Sequence, residues 1–302
     1  MRSSFKSLIT AFLFFLVISP LVLAQGGQRA GGRGAPKAPD TRPFDPRDLS
    51  GFWYRSEGNR SIRGQKVSDV PPMTPLGEKI FNANIPVRGR NKGEPLNGEH
   101  PGYVRAVIPA LSNDPIMQCN PQGLPRLILD NEPTEWITLQ GRIMQFFQWG
   151  HIPREIWMDG RELPSGENLD NLGVSWFGMS VGKWEGDTLV VNTVGFDDRT
   201  WLDIHGFPHS TDMRLEERYR RDSFDHIEYT FTIYDPKIYK EPWVSDKKGW
   251  RRMANDEVTY FGWRGFSGLL EGICAPAEEI DNFNKRVRDP AGLGHDKVDG
   301  KR

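Results

Sequence analysis

The chain has 302 residues, with 39 Lys+Arg against 40 Asp+Glu, 37% hydrophobic and 26% charged, an ordinary globular composition. A net charge near zero with no basic block gives no means of neutralising a run of phosphates, so nucleic acid is excluded as an expected partner; collagen, coiled coil and wholesale disorder are excluded too. Ten Trp, 32 Gly and 23 Pro favour strands broken by many turns over long helices.

Residues 1–24 read as a secretory signal peptide. Arg2 and Lys6 precede the apolar run from Leu8 to Leu23, and Val22-Leu23-Ala24 supplies a small residue at the cleavage point. Pro20 interrupts the run, which argues against a membrane anchor, and no Cys follows Ala24 to carry a lipid. The mature chain is therefore expected to be periplasmic or secreted, with no membrane anchor after cleavage. Residues 25–47 are Gly, Arg, Ala and Pro without apolar period and predict a flexible tether. A single domain is expected over residues 48–281, beginning at Leu49-Ser50-Gly51-Phe52-Trp53, with a frayed polar tail at 282–302.

Within that domain, residues 54–130 carry ten prolines between Pro71 and Pro125 and predict a long irregular strap packed over something else. One short helix is expected at 74–82, with Thr74 as cap and Pro75 in the first turn. From Thr134 the character changes, and nine of the ten Trp lie between Trp136 and Trp263. Strands are predicted at 135–139 and 142–149 around Gln140-Gly141, at 154–158 before Asp159-Gly160, at 174–184 and 188–196 around Glu185-Gly186-Asp187, at 213–221 and 226–234, and at 257–263. The clearest alternation is Ile227, Tyr229, Phe231 and Ile233 against His226, Glu228, Thr230 and Thr232. Seven or more strands predict an all-β fold: an antiparallel meander closing into a barrel, because closure removes the edges that so many aromatic strands would expose.

Cys119 and Cys274 are the two cysteines of an exported chain. A disulfide between them is the economical reading, and two buried free thiols are the alternative. Neither has the spacing of a zinc or redox motif.

The stretch GMSVGKWEGDTLVVNTVGFDDRTWLDIHGFPHSTDMRLEERYRR, Gly178 to Arg221, resembles a large family of exported, mostly uncharacterised bacterial proteins. DPIMQCNPQGLPR at Asp114 to Arg126 and HIPREIWMDGR at His151 to Arg161 extend the resemblance. It implies export and no particular reaction. GKWEGDTLVV is also similar to strand pairs of lipocalin-like barrels, which implies a cupped interior able to hold a small apolar molecule.

Candidate chemistry concentrates in Trp201 to Ser210, where Asp203, His205 and His209 stand close together in a loop between strands. A carboxylate beside an imidazole can fix its tautomer and raise its basicity; the alternative is that these groups brace a turn forced by Gly206 and Pro208. Glu217 is the second feature. If Met213, Leu215 and Tyr219 face inward, alternation turns Glu217 inward with them, where a carboxylate needs a partner. Arg154, Arg161 or a histidine of the 205–209 loop would serve, either as a structural ion pair or as part of an active site. His151 with Arg154 forms a third candidate, beside the aromatic strand ending in Trp149. Trp149, Trp176, Trp184 and Trp201 are candidates for stacking against a ligand, although most tryptophans of such a domain are core. No HExxH, Cys/His cluster, nucleophile elbow, Walker loop or dinucleotide fingerprint is present, so no metal or cofactor is expected.

Three readings follow. The first is an exported barrel binding a small apolar or amphipathic molecule. The second is an acid/base enzyme, an isomerase, lyase or hydrolase, using Asp203, His205, His209 and Glu217. The third is an extracytoplasmic interaction protein gripping a partner with the strap. Ligand identity and oligomeric state lie beyond the sequence.

Overall fold

The computed structural model describes residues 40–58, 62, 70–87, 107, 111–130, 132–150, 152–254, 269, 274, 282–288 and 290–291. The predicted signal peptide, the last predicted strand at 257–263 and His151 lie outside the described residues.

Ten strands form one sheet: β1 Gly51–Glu57, β2 Thr134–Leu139, β3 Arg142–Phe147, β4 Arg154–Trp157, β5 Met179–Glu185, β6 Thr188–Val194, β7 Arg214–Ser223, β8 His226–Tyr234, β9 Trp243–Val244 and β10 Lys248–Arg252. They follow one another in order from β1 to β9, and β10 pairs with both β1 and β8. Strands β1 to β8 with β10 therefore close a nine-stranded barrel, and β9 lies on β8 as a short extra strand.

Two features differ from the sequence reading. The barrel is mixed, because β4 and β5 pair in parallel. A parallel pair needs a long return, and residues 158–178 supply it with the helix α3, Gly166–Leu172. The barrel is also closed by strands that the pattern conceals. Gly51–Glu57 lies partly in the predicted irregular strap, and β10 reads Lys-Gly-Trp-Arg-Arg, a polar run in which only Trp250 signals the core. Register rather than hydropathy makes them strands: Trp53 faces Arg252, and Trp250 faces Ile227.

Alternation fills the lumen. Leu215, Glu217 and Tyr219 of β7 are buried while Arg218 and Arg220 are exposed, and Ile227, Tyr229, Phe231 and Ile233 of β8 are buried throughout. Tyr219 stacks on Tyr229 at 4.6 Å and Tyr229 on Trp250 at 5.5 Å, while Trp136 meets Tyr219 edge-on at 4.9 Å. Burial of each such ring stabilises the fold by roughly 1.5–3 kcal/mol.

Strand direction gives the two ends of the barrel different uses. One end has the tight turns Gln140-Gly141, Gly186-Asp187 and Phe224-Asp225. The other gathers the long connections 58–133, 148–153, 195–213 and 235–247. Residues from the strap cover that loop-rich end. Helix α1, Pro75–Ala83, is capped by the Thr74 hydroxyl accepting from the Gly77 amide, and it places Phe81 flat on Phe207 at 4.7 Å. A four-residue helix, α2 Arg126–Leu129, is buried throughout. Residues 40–47 depart from the flexible-tether expectation. Arg42 sits 3.8 Å over the Phe224 ring, and Arg47 donates to the Gly186 carbonyl. In the polar C-terminal stretch, Asn284–Arg288 forms a short π-helical turn.

Cys119 and Cys274 form a disulfide with Cα atoms 5.4 Å apart across 155 residues of sequence. It fastens the strap to the C-terminal part of the chain. Replacing both cysteines with serine is expected to lower unfolding free energy by about 4–5 kcal/mol, the closure entropy of so long a loop. The denaturant midpoint of the variant against the oxidised parent measures it.

Candidate functional site

The first strand residue of β4 and the centre of β7 carry the charges that meet in the lumen. Glu217 is fully buried and points inward between Leu215 and Tyr219, and Arg154 reaches it from across the barrel. Arg154 Nη1 donates to Glu217 Oε1 at 3.1 Å, and its Nη2 makes a short contact with Oε2. The rest of the guanidinium is also engaged: Nε donates to the Ser180 hydroxyl at 3.1 Å, Nη1 to Gln145 Oε1 at 3.3 Å and Nη2 to the Thr193 hydroxyl at 3.0 Å. Tyr219 and Tyr229 donate to Glu217 Oε1 at 2.7 and 3.1 Å.

Burial works against the Arg154 charge, and Glu217 beside it more than compensates, so the guanidinium stays charged. Both phenols are pushed well above the ordinary tyrosine range, chiefly by burial, which keeps them as donors. Such saturation is what a buried ion pair requires. Of the expected partners, Arg154 is the one used; Arg161 lies on the surface, paired with Asp159.

The loop 195–213 covers the loop-rich end, and the structure divides its candidate residues. His209 is buried and fully engaged. Its Nδ1 lies 3.1 Å from the Ser210 carbonyl and its Nε2 2.7 Å from the Thr200 hydroxyl, an arrangement met by the neutral tautomer with Nδ1 protonated. Burial lowers its pKa below the ordinary histidine value, against the pull of the Ser210 carbonyl and the charges of Asp235, Asp198 and Asp197. Asp203 does not orient either imidazole. Its Oδ1 accepts from the backbone amide of His205 at 2.8 Å, a turn brace. Asp203 Oδ2 and His205 Nδ1 are buried and have no hydrogen-bond partner, and neither has the Trp243 indole nitrogen at the same end.

The covering segments seat this loop tightly. Gly123 has a positive φ, and an added Cβ would stand 2.4 Å from the Thr200 hydroxyl, so only glycine permits the approach. Gly206, also at positive φ, accepts a hydrogen bond from Asn84 Nδ2 at 2.7 Å. Arg126, held by a buried bidentate pair with Asp114 at 2.7 and 2.8 Å, stands 5.8 Å over the Trp201 ring.

The four candidate tryptophans are not brought together. Trp201 is buried in the cover. Trp149 and Trp176 are half-buried at the loop-rich end, with Arg199 stacked 4.5 Å over Trp176. Trp184 belongs to the opposite end, beside the β5–β6 turn. Sequence reasoning missed Gln145, Ser180 and Thr193, the polar floor of the lumen, whose inward positions follow from alternation on β3, β5 and β6. It also missed Lys248, which lies two residues before Trp250 and shares its face. Lys248 is buried and pairs with Asp246; burial lowers its pKa, the Asp246 contact and the charge of Asp203 oppose that shift, and Arg55 adds to it. Among the described residues, no three His, Cys, Asp or Glu side chains gather in a way that could hold a metal.

Two measurements check these assignments. Glu217→Gln leaves the Arg154 charge buried without a counter-ion and is expected to lower stability by about 3–5 kcal/mol, while Arg154→Met combined with Glu217→Leu recovers a large part of it. For His209, the folded pKa lies below the unfolded value, so the unfolded chain takes up a proton first as pH falls. Its contribution is present above about 6.5 and is lost on descent toward the folded pKa. Urea midpoints of His209→Gln are expected to depend less on pH in that window than those of the parent.

Set beside models of known protein families, curated proteins and solved structures, the chain matches none.

Proposed function

We propose that the chain is an exported β-barrel that binds a small apolar or amphipathic molecule admitted at its loop-rich end. The observation that carries this reading is three of the buried, unpartnered polar atoms at that end: Asp203 Oδ2, His205 Nδ1 and the Trp243 indole nitrogen. Buried polar groups are otherwise paired in a folded protein, and leaving one unmet costs about 1–3 kcal/mol. Trp243 packs against the rings of Phe207 and Tyr239, so an amphipathic molecule reaching its indole nitrogen finds apolar walls beside a polar contact. Export is supported by the leader-like composition of residues 1–24, by the likeness of Gly178 to Arg221 to exported bacterial proteins, and by a disulfide compatible with an oxidising compartment.

Native mass spectrometry of the protein isolated from its own source is expected to show a small molecule that leaves on denaturation. A bare polypeptide mass from repeated native preparations would remove the binding reading.

One observation favours the second reading, an acid/base enzyme. Asp203 Oδ2 and His205 Nδ1 lie two residues apart in one loop, both uncommitted, so either can exchange a proton with a bound molecule. His209 and Glu217 contribute to such an enzyme as supports, since both are saturated by neighbours. On this reading the co-purified molecule is converted on incubation with fresh protein, and Asp203→Asn or His205→Gln abolishes conversion at saturating ligand, a loss larger than any weakening of binding.

A further inference from the structure

Donor groups crowd the polar floor of the lumen. Arg154 uses every one of its N–H groups on Ser180, Gln145, Thr193 and Glu217. Glu217 receives Arg154 and both tyrosines, and the single carbonyl of the Gln145 side chain receives Arg154. The Ser180 and Thr193 hydroxyls lie 2.9 Å apart, bonded to each other, and each accepts from Arg154. The Glu217, Gln145, Ser180 and Thr193 oxygens thus each already receive a donor. Two donor nitrogens remain buried with no partner at all: the Trp136 indole Nε1 and the Gln145 amide Nε2.

These two are neighbours. Trp136 and Gln145 stand directly opposite each other on β2 and β3, which places their side chains side by side on one face of the sheet. Both residues are fully buried, and the adjoining walls are the rings of Tyr219 and Trp250. A phenylalanine at 136 would offer the same kind of ring without the unmet donor, so the indole N–H costs stability in the free protein and is compensated only when an acceptor arrives.

Charge restricts that acceptor further. The Arg154 guanidinium is already matched by Glu217, and Lys248 by Asp246. The cation bonded to Gln145 is therefore already neutralised, and a buried anion there would meet no free counter-charge, while its desolvation is far more costly than that of a neutral carbonyl.

We infer that Trp136 and Gln145 form a recognition site for the carbonyl oxygen of a neutral, largely apolar ligand, with the indole and amide N–H groups donating to it. This rests on the binding reading above and adds the chemical class of the ligand. The same two donors would also accommodate a trapped water molecule, which the test separates from a ligand carbonyl.

Acetophenone and ethylbenzene are matched probes, alike in size and differing in the carbonyl. Titrated into the mature chain and followed by intrinsic tryptophan fluorescence, both are expected to bind. Trp136→Phe is expected to weaken acetophenone about tenfold, the equivalent of one hydrogen bond, and to leave ethylbenzene within about twofold. In the unaltered protein, carbonyl-labelled acetophenone is expected to show the downfield 13C shift of a hydrogen-bonded ketone. That measurement decides the matter alone if the variant fails to fold. Equal weakening of both probes, or a carbonyl shift like that in alkane solvent, overturns the inference and leaves the binding reading standing. Binding of ethylbenzene without acetophenone overturns the inference alone, and failure of both probes to bind overturns both readings.

Discussion

Moving a guanidinium and a carboxylate out of water into a lumen walled by Trp136, Tyr219, Tyr229 and Trp250 carries a penalty of several kcal/mol per ion. The barrel tolerates Arg154 and Glu217 because six strands deliver what the two ions need. Gln145, Ser180 and Thr193 take the remaining guanidinium hydrogens, and Tyr219 and Tyr229 supply the carboxylate with donors. Apart from Tyr219, two residues from Glu217 on the same strand, these contacts join different strands, so the polar floor exists only when the sheet is closed in the correct register. A one-residue slip of β7 would turn Glu217 outward and leave Arg154 unmatched, so the ion pair specifies register as well as occupying space.

Above this floor the two ends of the barrel answer different demands. Hairpins with two-residue turns close one end at little entropic cost. The other end is built from long connections seated on one another by aromatic stacking, by the approach of Gly123 to Thr200, and by the buried Arg126–Asp114 pair. Loops held this firmly on a rigid sheet are where function concentrates. The loop holding Asp203 and His205 follows that logic, with one oxygen of Asp203 spent on its own backbone turn and the other left over. His209, which looks equivalent in sequence, is taken up by Thr200 and Ser210. The histidines therefore differ in what their neighbours demand of them.

Much of the sheet was legible because strand alternation is short-range. Leu215, Glu217 and Tyr219 face inward for the same reason that Ile227, Tyr229 and Phe231 do, and the turns at Gly141, Gly186 and Asp225 follow from residues that tolerate tight backbone. The disulfide was legible as the economical pairing of the two cysteines in a chain whose N-terminus reads as a leader. The closing strand β10 was not, because Lys248, Arg251 and Arg252 mask its pattern. The parallel β4–β5 pair was also hidden, since nothing in either strand states which way its neighbour runs.

By itself the sequence determined the all-β class, the leader-like N-terminus, the inward turn of Glu217 and the clustering of Asp203, His205 and His209 in one loop. Each of these depends on residues within a few positions of one another or on composition. Only the tertiary structure decided that Arg154 and not Arg161 answers Glu217, that Trp184 sits apart from Trp201, and that Trp136 and Gln145 are left with donors to spare. These outcomes depend on pairing between segments far apart in the chain, and on an account of donors and acceptors that can be drawn up only once the barrel is closed.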